Sequence, residues 1–259
     1  MTCEEAAERL ECSPSKISRM ETGRVSIHPR DVRDLLELYG ADEEQCAALL
    51  VIAREARERG WWHSFFGVLP KLYLTFIGLE AEATLVRTYE PQLIPGLLQT
   101  EAYARALRSR YPFRRDPEET DSFIAARMAR QNHLTRDEPL NLWAILDEAV
   151  IRRMVGGTGI MRDQLRHVLE VGMLPNVTIQ VIPFAAGAHP AMEGSFTILE
   201  FSDPADPQLV YLENLMSSLY LEQEKEITWY RLVFDHALAT ALSPEDTRKL
   251  ITEAVLGLE

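Results

Sequence analysis

Short hydroxyl side chains and basic side chains are concentrated in one stretch near the start of the sequence. Between Cys12 and Arg30 there are four basic residues against one acidic residue, Glu21. Serine hydroxyls, lysine amines and arginine guanidinium groups are the side chains that meet phosphate oxygens and base edges in DNA. We therefore predict contacts with double-stranded DNA from Ser13, Ser15, Lys16, Ser18, Arg19 and Arg24.

The positive charge of this stretch is local, because the whole chain carries a formal net charge of -13 at pH 7. An acidic total argues against nucleic-acid binding over the whole surface. It also predicts weak non-specific binding and an affinity for DNA that falls steeply with salt.

Residues typical of catalysis or metal binding form no recognisable set. The later histidines are scattered, and the sequence contains no HExxH, GxSxG or Gly-rich phosphate motif. "GGTG" at 156–159 follows a predicted helix and is interpreted as a turn. The three cysteines, Cys3, Cys12 and Cys46, form no CxxC pair, which favours reduced thiols over a zinc site. We predict a protein that is not an enzyme and has no catalytic residues, metal or cofactor.

The loop "GAHPAMEG" at 187–194 leaves two interpretations open. It places His189 and Glu193 after a strong strand pattern, where they would form a pocket edge or a hydrolytic pair. The alternative is a hairpin-like loop with a surface histidine, which we favour. An enzyme built around His189 is the corresponding minor hypothesis.

The length of 259 residues favours two domains. No apolar run reaches the roughly 18 residues that a membrane span needs, so no membrane association is expected. The first ten residues lack the basic and apolar regions of a signal peptide. These features predict a cytoplasmic protein.

Residues 1–59 show apolar positions at helical spacing, separated by residues that start and stop helices. The pattern predicts a helix over 2–10, a turn over 11–13 and a second helix over 14–22, started by Ser13 as N-cap and Pro14 at the first position. Gly23 would end the second helix. This arrangement is typical of a helix-turn-helix, in which the second helix enters the major groove.

Two further helices are predicted in this segment. Pro29 opens one and Gly40 closes it, and Asp42 caps another that runs to Gly60. Together they predict an all-helical bundle over 1–59.

The rest of the sequence changes character. Residues 60–80 are rich in aromatic residues and are interpreted as a packed junction. Residues 81–259 mix strand and helix patterns, including an amphipathic helix with Phe123, Met128 and Leu134 inward and three final strands in an antiparallel meander. The predicted fold class is α+β, a helix-turn-helix bundle followed by a mixed α/β regulatory or partner-binding domain.

The string "TCEEAAERLECSPSKISRMETG" resembles the Xre-type helix-turn-helix of phage-repressor-like regulators. The matching residues are Ala7, Ser13, Ser15, Ile17, Ser18, Glu21 and Gly23. The resemblance implies that Glu21 is structural and ties the second helix to its bundle, so Glu21 is not among the DNA contacts.

The sequence departs from this family in three ways. Cys3 replaces a glutamine that contacts phosphate, and Glu11 replaces a turn glycine. The family also has a helix before the motif, so we expect a truncated bundle: the natural start lies upstream, the chain is trimmed, or the domain is degenerate, and we favour an upstream start. Such a bundle is expected to expose Ala6, Leu10 and Met20.

Longer strings in the second half, among them "YEPQLIPGLLQTEAYARAL" and "ALSPEDTRKLI", resemble an actinobacterial group of WhiJ-like and antitoxin-like Xre regulators. The resemblance implies a transcriptional regulator that acts with a small partner protein encoded nearby. Our leading hypothesis is a DNA-binding homodimer whose C-terminal domain binds that partner or an effector. The alternative is an antitoxin-like interaction protein that neutralises a small neighbouring-gene product, with DNA binding weak or lost.

Overall fold

The computed structural model describes residues 2–10, 12–21, 29–42, 45–46, 49, 61–65, 67–110, 116–202, 208–214 and 217–258. The chain divides into two compact units, residues 1–63 and 64–259. No helix in these ranges combines the length and apolar character needed to cross a membrane.

Among the described residues of the first unit, the helices with both ends placed are α1 (Cys3–Arg9), α2 (Pro14–Glu21) and α3 (Pro29–Tyr39). A capping box starts α1, because the Thr2 hydroxyl accepts from the Glu5 amide and the Glu5 carboxylate accepts from the Thr2 amide. Gly40 ends α3 with a φ of 76°. These helices confirm the predicted bounds to within one residue.

The remaining predictions for this unit lie partly outside the described residues. The Gln45 amide donates to Asp42 Oδ1 over 2.7 Å, as expected for a cap, and Gln45, Cys46 and Leu49 are helical. The predicted stop at Gly23, the turn position Glu11 and the end of the fourth helix at Gly60 lie outside the described residues.

A small apolar core holds these helices together, formed by Ala6, Ala7, Ile17, Met20 and Leu35. The expectation that Ala6 and Met20 would be exposed is wrong, because they are 0% and 4% exposed. The physical reason is that α3 contributes Leu35, with Leu38 at the edge, to the same cluster. Leu10 is half-buried at its margin.

The second unit is built on a six-stranded sheet with the order β3-β2-β1-β4-β5-β6. Its strands are β1 (Leu85–Glu90), β2 (Asn141–Asp147), β3 (Val177–Ile182), β4 (Phe196–Glu200), β5 (Leu209–Glu213) and β6 (Ser218–Leu221). The first three strands are parallel, with Tyr89 opposite Ile145 and Ile145 opposite Gln180. The last three form the predicted antiparallel meander, joined to β1 with Tyr89 opposite Phe196.

Helices cover both faces of this sheet. They are α4 (Lys71–Glu82), α5 (Glu101–Arg108), α6 (Pro117–Gln131), α7 (Glu148–Arg152), α8 (Thr158–Val171), α9 (Glu224–Thr240) and α10 (Pro244–Leu256). One face packs against α4, α5, α7, α8 and α10, for example through Phe76, Tyr103, Leu165 and Ile251. The other face packs against α9 through Ile227, Phe234 and Ala237. The α+β fold class is confirmed.

Two local interpretations are tested by this unit. Gly156 and Gly157 have φ of 73° and 92° and lie in the connection before α8, whereas Thr158 and Gly159 begin that helix, so the predicted turn over 156–159 is right only for its first two residues. The predicted inward face of the amphipathic helix, α6, is wrong in part. Its buried residues are Ile124, Ala126 and Arg130, while Phe123 and Met128 are half-buried. Leu134 is buried as expected, in a short 3-10 turn after the helix.

Candidate nucleic-acid interface

The turn between α1 and α2 is short and is fixed by backbone hydrogen bonds. The Leu10 amide donates to Ala6 O over 3.0 Å and the Cys12 amide donates to Ala7 O over 2.9 Å. The Lys16 amide donates to Ser13 Oγ over 3.2 Å, so Ser13 caps α2 as predicted. This geometry sets α2 at a defined angle to α1.

One side of α2 is buried and another is exposed. Ile17 and Met20 are 0% and 4% exposed and lie in the core. Ser13, Ser15 and Ser18 are exposed, and the hydroxyls of Ser13 and Ser15 lie 3.1 Å apart. The structure therefore brings the three predicted serines to the surface of one helix and its cap.

Lys16 departs from its predicted role in one respect. Its ammonium donates to Asp31 Oδ1 of α3 over 2.9 Å. The hydrogen bond to Asp31 raises the pKa of Lys16, which stays protonated. A phosphate contact from Lys16 would have to compete with this ion pair.

The two predicted arginines are less fully placed. Arg19 lies on α2, four residues after Ser15 and thus on the same side of the helix. Its side chain, and the whole of Arg24, lie outside the described residues. Their contacts with DNA stay predictions.

Glu21 links α1, α2 and α3, in agreement with the structural role that the resemblance implied. Its carboxylate accepts from the Cys3 thiol over 3.3 Å and from the Tyr39 hydroxyl. The hydrogen bonds from Tyr39 and then from Cys3 lower the pKa of Glu21. The hydrogen bond to Glu21, and after it burial, raise the pKa of Tyr39 to about 12. The Cys3 thiol therefore donates its hydrogen bond to a group within the bundle.

Sequence reasoning missed the partners from α3. Asp31 and Tyr39 engage Lys16 and Glu21 across 15 and 18 residues. The apolar pattern of one segment predicts which side of that helix is buried. It does not predict which charged residue of another helix will face that helix. The opposite charges of Lys16 and Asp31 are compatible with an ion pair, but the sequence allows many other pairs of opposite charge equally well.

The favoured interpretation of His189 as a surface residue is wrong. His189 is only 9% exposed, because its ring packs edge-on against Tyr89 near the end of β1. Its Nε2 atom lies 4.0 Å from Asp147 Oδ2. Over the described ranges, no group of three or more histidine, cysteine, aspartate or glutamate side chains is arranged to hold a metal ion.

Comparison with protein families finds a matching family model for each of the two parts of the chain. Residues 1–49 match a model described as a helix-turn-helix domain, the motif typical of DNA binding. Residues 73–253, more than half of the chain, match a model described as a domain of unknown function, DUF5753. The chain belongs to the DUF5753 family. The DUF5753 match lies within the second unit, and the helix-turn-helix match within the first. No curated protein and no solved structure matches the chain.

Proposed function

We propose that this DUF5753 protein is a sequence-specific, DNA-binding transcriptional regulator whose helix α2 enters the major groove. The observation that supports this most directly is the exposed hydroxyl side of α2, within a segment that matches a helix-turn-helix domain. Its buried side, at Ile17 and Met20, is fixed against α1 and α3. A helix held in this way presents the same residues to each site it meets.

The roles of the individual residues follow from their chemistry. Ser13 and the first amides of α2 would contact phosphate, together with Lys16 and Arg24, and would set the register on the duplex. Ser15, Ser18 and Arg19 would read base edges. Arginine is the side chain that binds guanine with two parallel hydrogen bonds.

Replacement of Arg19 tests the base-reading role. We expect Arg19→Ala to weaken binding by about 1–3 kcal/mol and to relax specificity at one base position. The measurement is an electrophoretic shift on the DNA upstream of the protein's own gene, repeated on duplexes that vary one base pair at a time. Arg231→Ala, an exposed arginine on α9, is the matched control. Equal losses on every duplex would assign Arg19 to phosphate contact instead.

The Lys16–Asp31 ion pair provides a change that should strengthen binding. Asp31→Asn keeps the size of the side chain while it removes the carboxylate charge that holds the ammonium of Lys16. We expect tighter DNA binding and a plot of log K against log salt steeper by about 0.9, the value for one further phosphate contact in duplex DNA.

The matched control for this change is Glu37→Gln, which removes the same charge from an exposed position on α3. It should tighten binding less and leave the salt slope unchanged. If both variants behave alike, the effect belongs to net charge and Lys16 is not a phosphate contact.

The second unit would carry the regulatory input of this regulator. We propose a cytoplasmic homodimer whose DUF5753 domain binds a small partner protein encoded nearby or an effector. Light scattering of the full chain tests the dimer, and co-purification with the neighbouring gene's product tests the partner. An antitoxin-like role is the weaker proposal, because it needs no exposed recognition helix.

A further inference from the structure

The two edges of the six-stranded sheet differ in how they are covered. At the β3 edge, the Val181 amide donates to Thr247 Oγ over 3.0 Å and the Leu242 amide donates to Val181 O over 2.9 Å. The connection from α9 to α10 and the start of α10 therefore close part of that edge. At the opposite edge, β6 pairs with β5 on one side, and within the described part of the chain no segment pairs with its other side.

The hydrogen bonds of the β5–β6 hairpin show which backbone groups of β6 point outward. The Asn214 amide donates to Ser217 O over 2.8 Å, so these two residues form a hydrogen-bonded pair. Such pairs alternate with non-bonded ones along an antiparallel ladder, so the next residue of β6 that bonds to β5 is Leu219. The N–H and C=O groups of Ser218 and Tyr220 therefore face away from the sheet. None of the described residues hydrogen-bonds to these outward groups.

The side chains of β6 leave this edge open. The Tyr220 ring leans back over the sheet, because it lies 5.2 Å from the Tyr211 ring and its hydroxyl donates to Leu72 O over 2.7 Å. The Ser218 hydroxyl likewise lies 3.1 Å from the Tyr211 hydroxyl. The sequence of β6, Ser-Leu-Tyr-Leu, contains no charged residue and no proline, which are residues that protect exposed edges from pairing.

Exposed apolar side chains accompany the open backbone groups on both faces of the sheet. Leu219 shares a face with Leu221, which packs in the cluster under α9, and Leu219 is 50% exposed. On the opposite face, Leu72 at the start of α4 is 46% exposed. A strand added at this edge gains backbone hydrogen bonds and covers apolar surface, as in other proteins that bind by strand addition. The edge therefore fits an extended protein strand.

We propose that this edge pairs with the same edge of a second copy of the chain, antiparallel and about a two-fold axis at Leu219. In this register Ser218 of each copy lies opposite Tyr220 of the other, and their outward groups form four backbone hydrogen bonds. The two Leu219 residues lie opposite each other between these pairs, with Cα atoms about 4.5 Å apart, and bury each other's side chains. The proposal rests on the homodimer proposed above and names the surface where the two chains meet.

The distribution of charge fits a second copy in spite of the net charge of -13. The acidic residues closest to β6 in the hairpin are Glu213, at the end of β5, and Glu222, directly after β6. Across the proposed axis the two Glu213 residues are three strand spacings apart, roughly 14 Å, and the two Glu222 residues are six residues apart along the ladder, roughly 20 Å. Both separations exceed the Debye length of about 8 Å at physiological ionic strength, so these charges do not oppose the pairing.

Charge replacement at Leu219 tests the pairing. Sedimentation velocity of the full chain between about 1 and 100 µM should show a dimer that increases with concentration. Leu219→Lys and Leu219→Glu should each weaken dimerisation by about tenfold or more, because like charges then face each other in place of two leucines. An equimolar mixture of the two variants should recover the dimer, since opposite charges face each other in the mixed pair. The matched control is Leu256→Lys, at a 61% exposed position of α10, which packs beside β3, and it should dimerise like the wild type.

Hydrogen exchange of the wild-type chain locates the contact without any variant. The Ser218 and Tyr220 amides should exchange about tenfold or more slowly at a concentration where the chain is dimeric than where it is monomeric, while the β3 amides keep their rates. A wild-type chain that stays monomeric would overturn the proposal and assign the edge to a strand of another protein. A dimer that persists in Leu219→Lys, no recovery in the mixture, or no added protection of Ser218 and Tyr220 would overturn this interface alone. Because neither measurement contains DNA, the proposed DNA binding is tested separately.

Discussion

Glu80→Gln is expected to destabilise the second unit by about 3–5 kcal/mol, because it leaves a buried guanidinium without its counter-charge. Arg130 donates to Glu80 through Nε over 2.7 Å and through Nη2 over 2.6 Å, and it donates to the Tyr73 hydroxyl over 3.0 Å. Both charged residues are nearly inaccessible, at 5% and 1% exposed. Burial would lower the pKa of Arg130, but attraction to Glu80 and the hydrogen bonds more than offset it, so the pKa is raised.

Urea denaturation of the full chain measures this change. Glu82→Gln, an exposed position two residues further along α4, is the matched control and should alter stability by less than about 0.5 kcal/mol. The double variant Glu80→Met/Arg130→Met should recover much of the loss, because apolar side chains can replace a buried ion pair. A Glu80→Gln chain as stable as the control would contradict the account of this pair.

Ile17→Ala is expected to abolish DNA binding by destabilising the first unit, not by removing a contact. Ile17 is fully buried in the small cluster that joins α1, α2 and α3. Truncation of a buried isoleucine to alanine costs about 2–5 kcal/mol, which is a large part of the stability of a unit of this size. Without a fixed α2, the candidate DNA-binding residues lose their common surface.

Hydrogen exchange of the full chain distinguishes this mechanism from loss of a contact. Amides of α1 and α2 should exchange faster in Ile17→Ala, with an intermediate effect in Ile17→Val and none in Glu8→Ala, an exposed residue of α1. The amides of the sheet should keep their protection. Unchanged exchange in α1 and α2, together with lost binding, would mean that Ile17 itself contacts the duplex.

The first unit could be predicted from sequence largely because its signals are local. Ser13 and Pro14 start α2, and Gly40 ends α3, through the conformations that those residue types favour. The buried side of α2 follows from the spacing of Ile17 and Met20. The pairing of Lys16 with Asp31 could not be predicted, since it depends on the angle between two helices.

The second unit was predicted less completely, for the same reason. Strand patterns locate β2 and β3, but the order β3-β2-β1-β4-β5-β6 depends on crossovers that a single sequence does not specify. The burial of His189 depends on the path of the segment after β3, and that of Arg130 on Glu80, which lies 50 residues away. The inner side of α6 carries an arginine, although the apolar pattern predicts no charge there. This arginine can be buried because a carboxylate on another helix neutralises its charge.

The electrostatic arrangement bears on how an acidic chain would recognise DNA, as we propose. Its net charge of -13 opposes non-specific attraction, and Asp31 already binds the ammonium of Lys16. Binding would therefore depend on the fit of α2 to its site more than on bulk charge. This favours a regulator with low background occupancy.

The central claim is tested most directly by selection from random duplexes with the full chain, followed by affinity measurements on the selected and scrambled sequences over a range of salt concentrations. The account predicts one enriched sequence, bound about 10³-fold or more tightly than its scrambled form, with affinity that falls linearly in log K against log salt. No enriched sequence, or equal affinity for both duplexes at low salt, would contradict it.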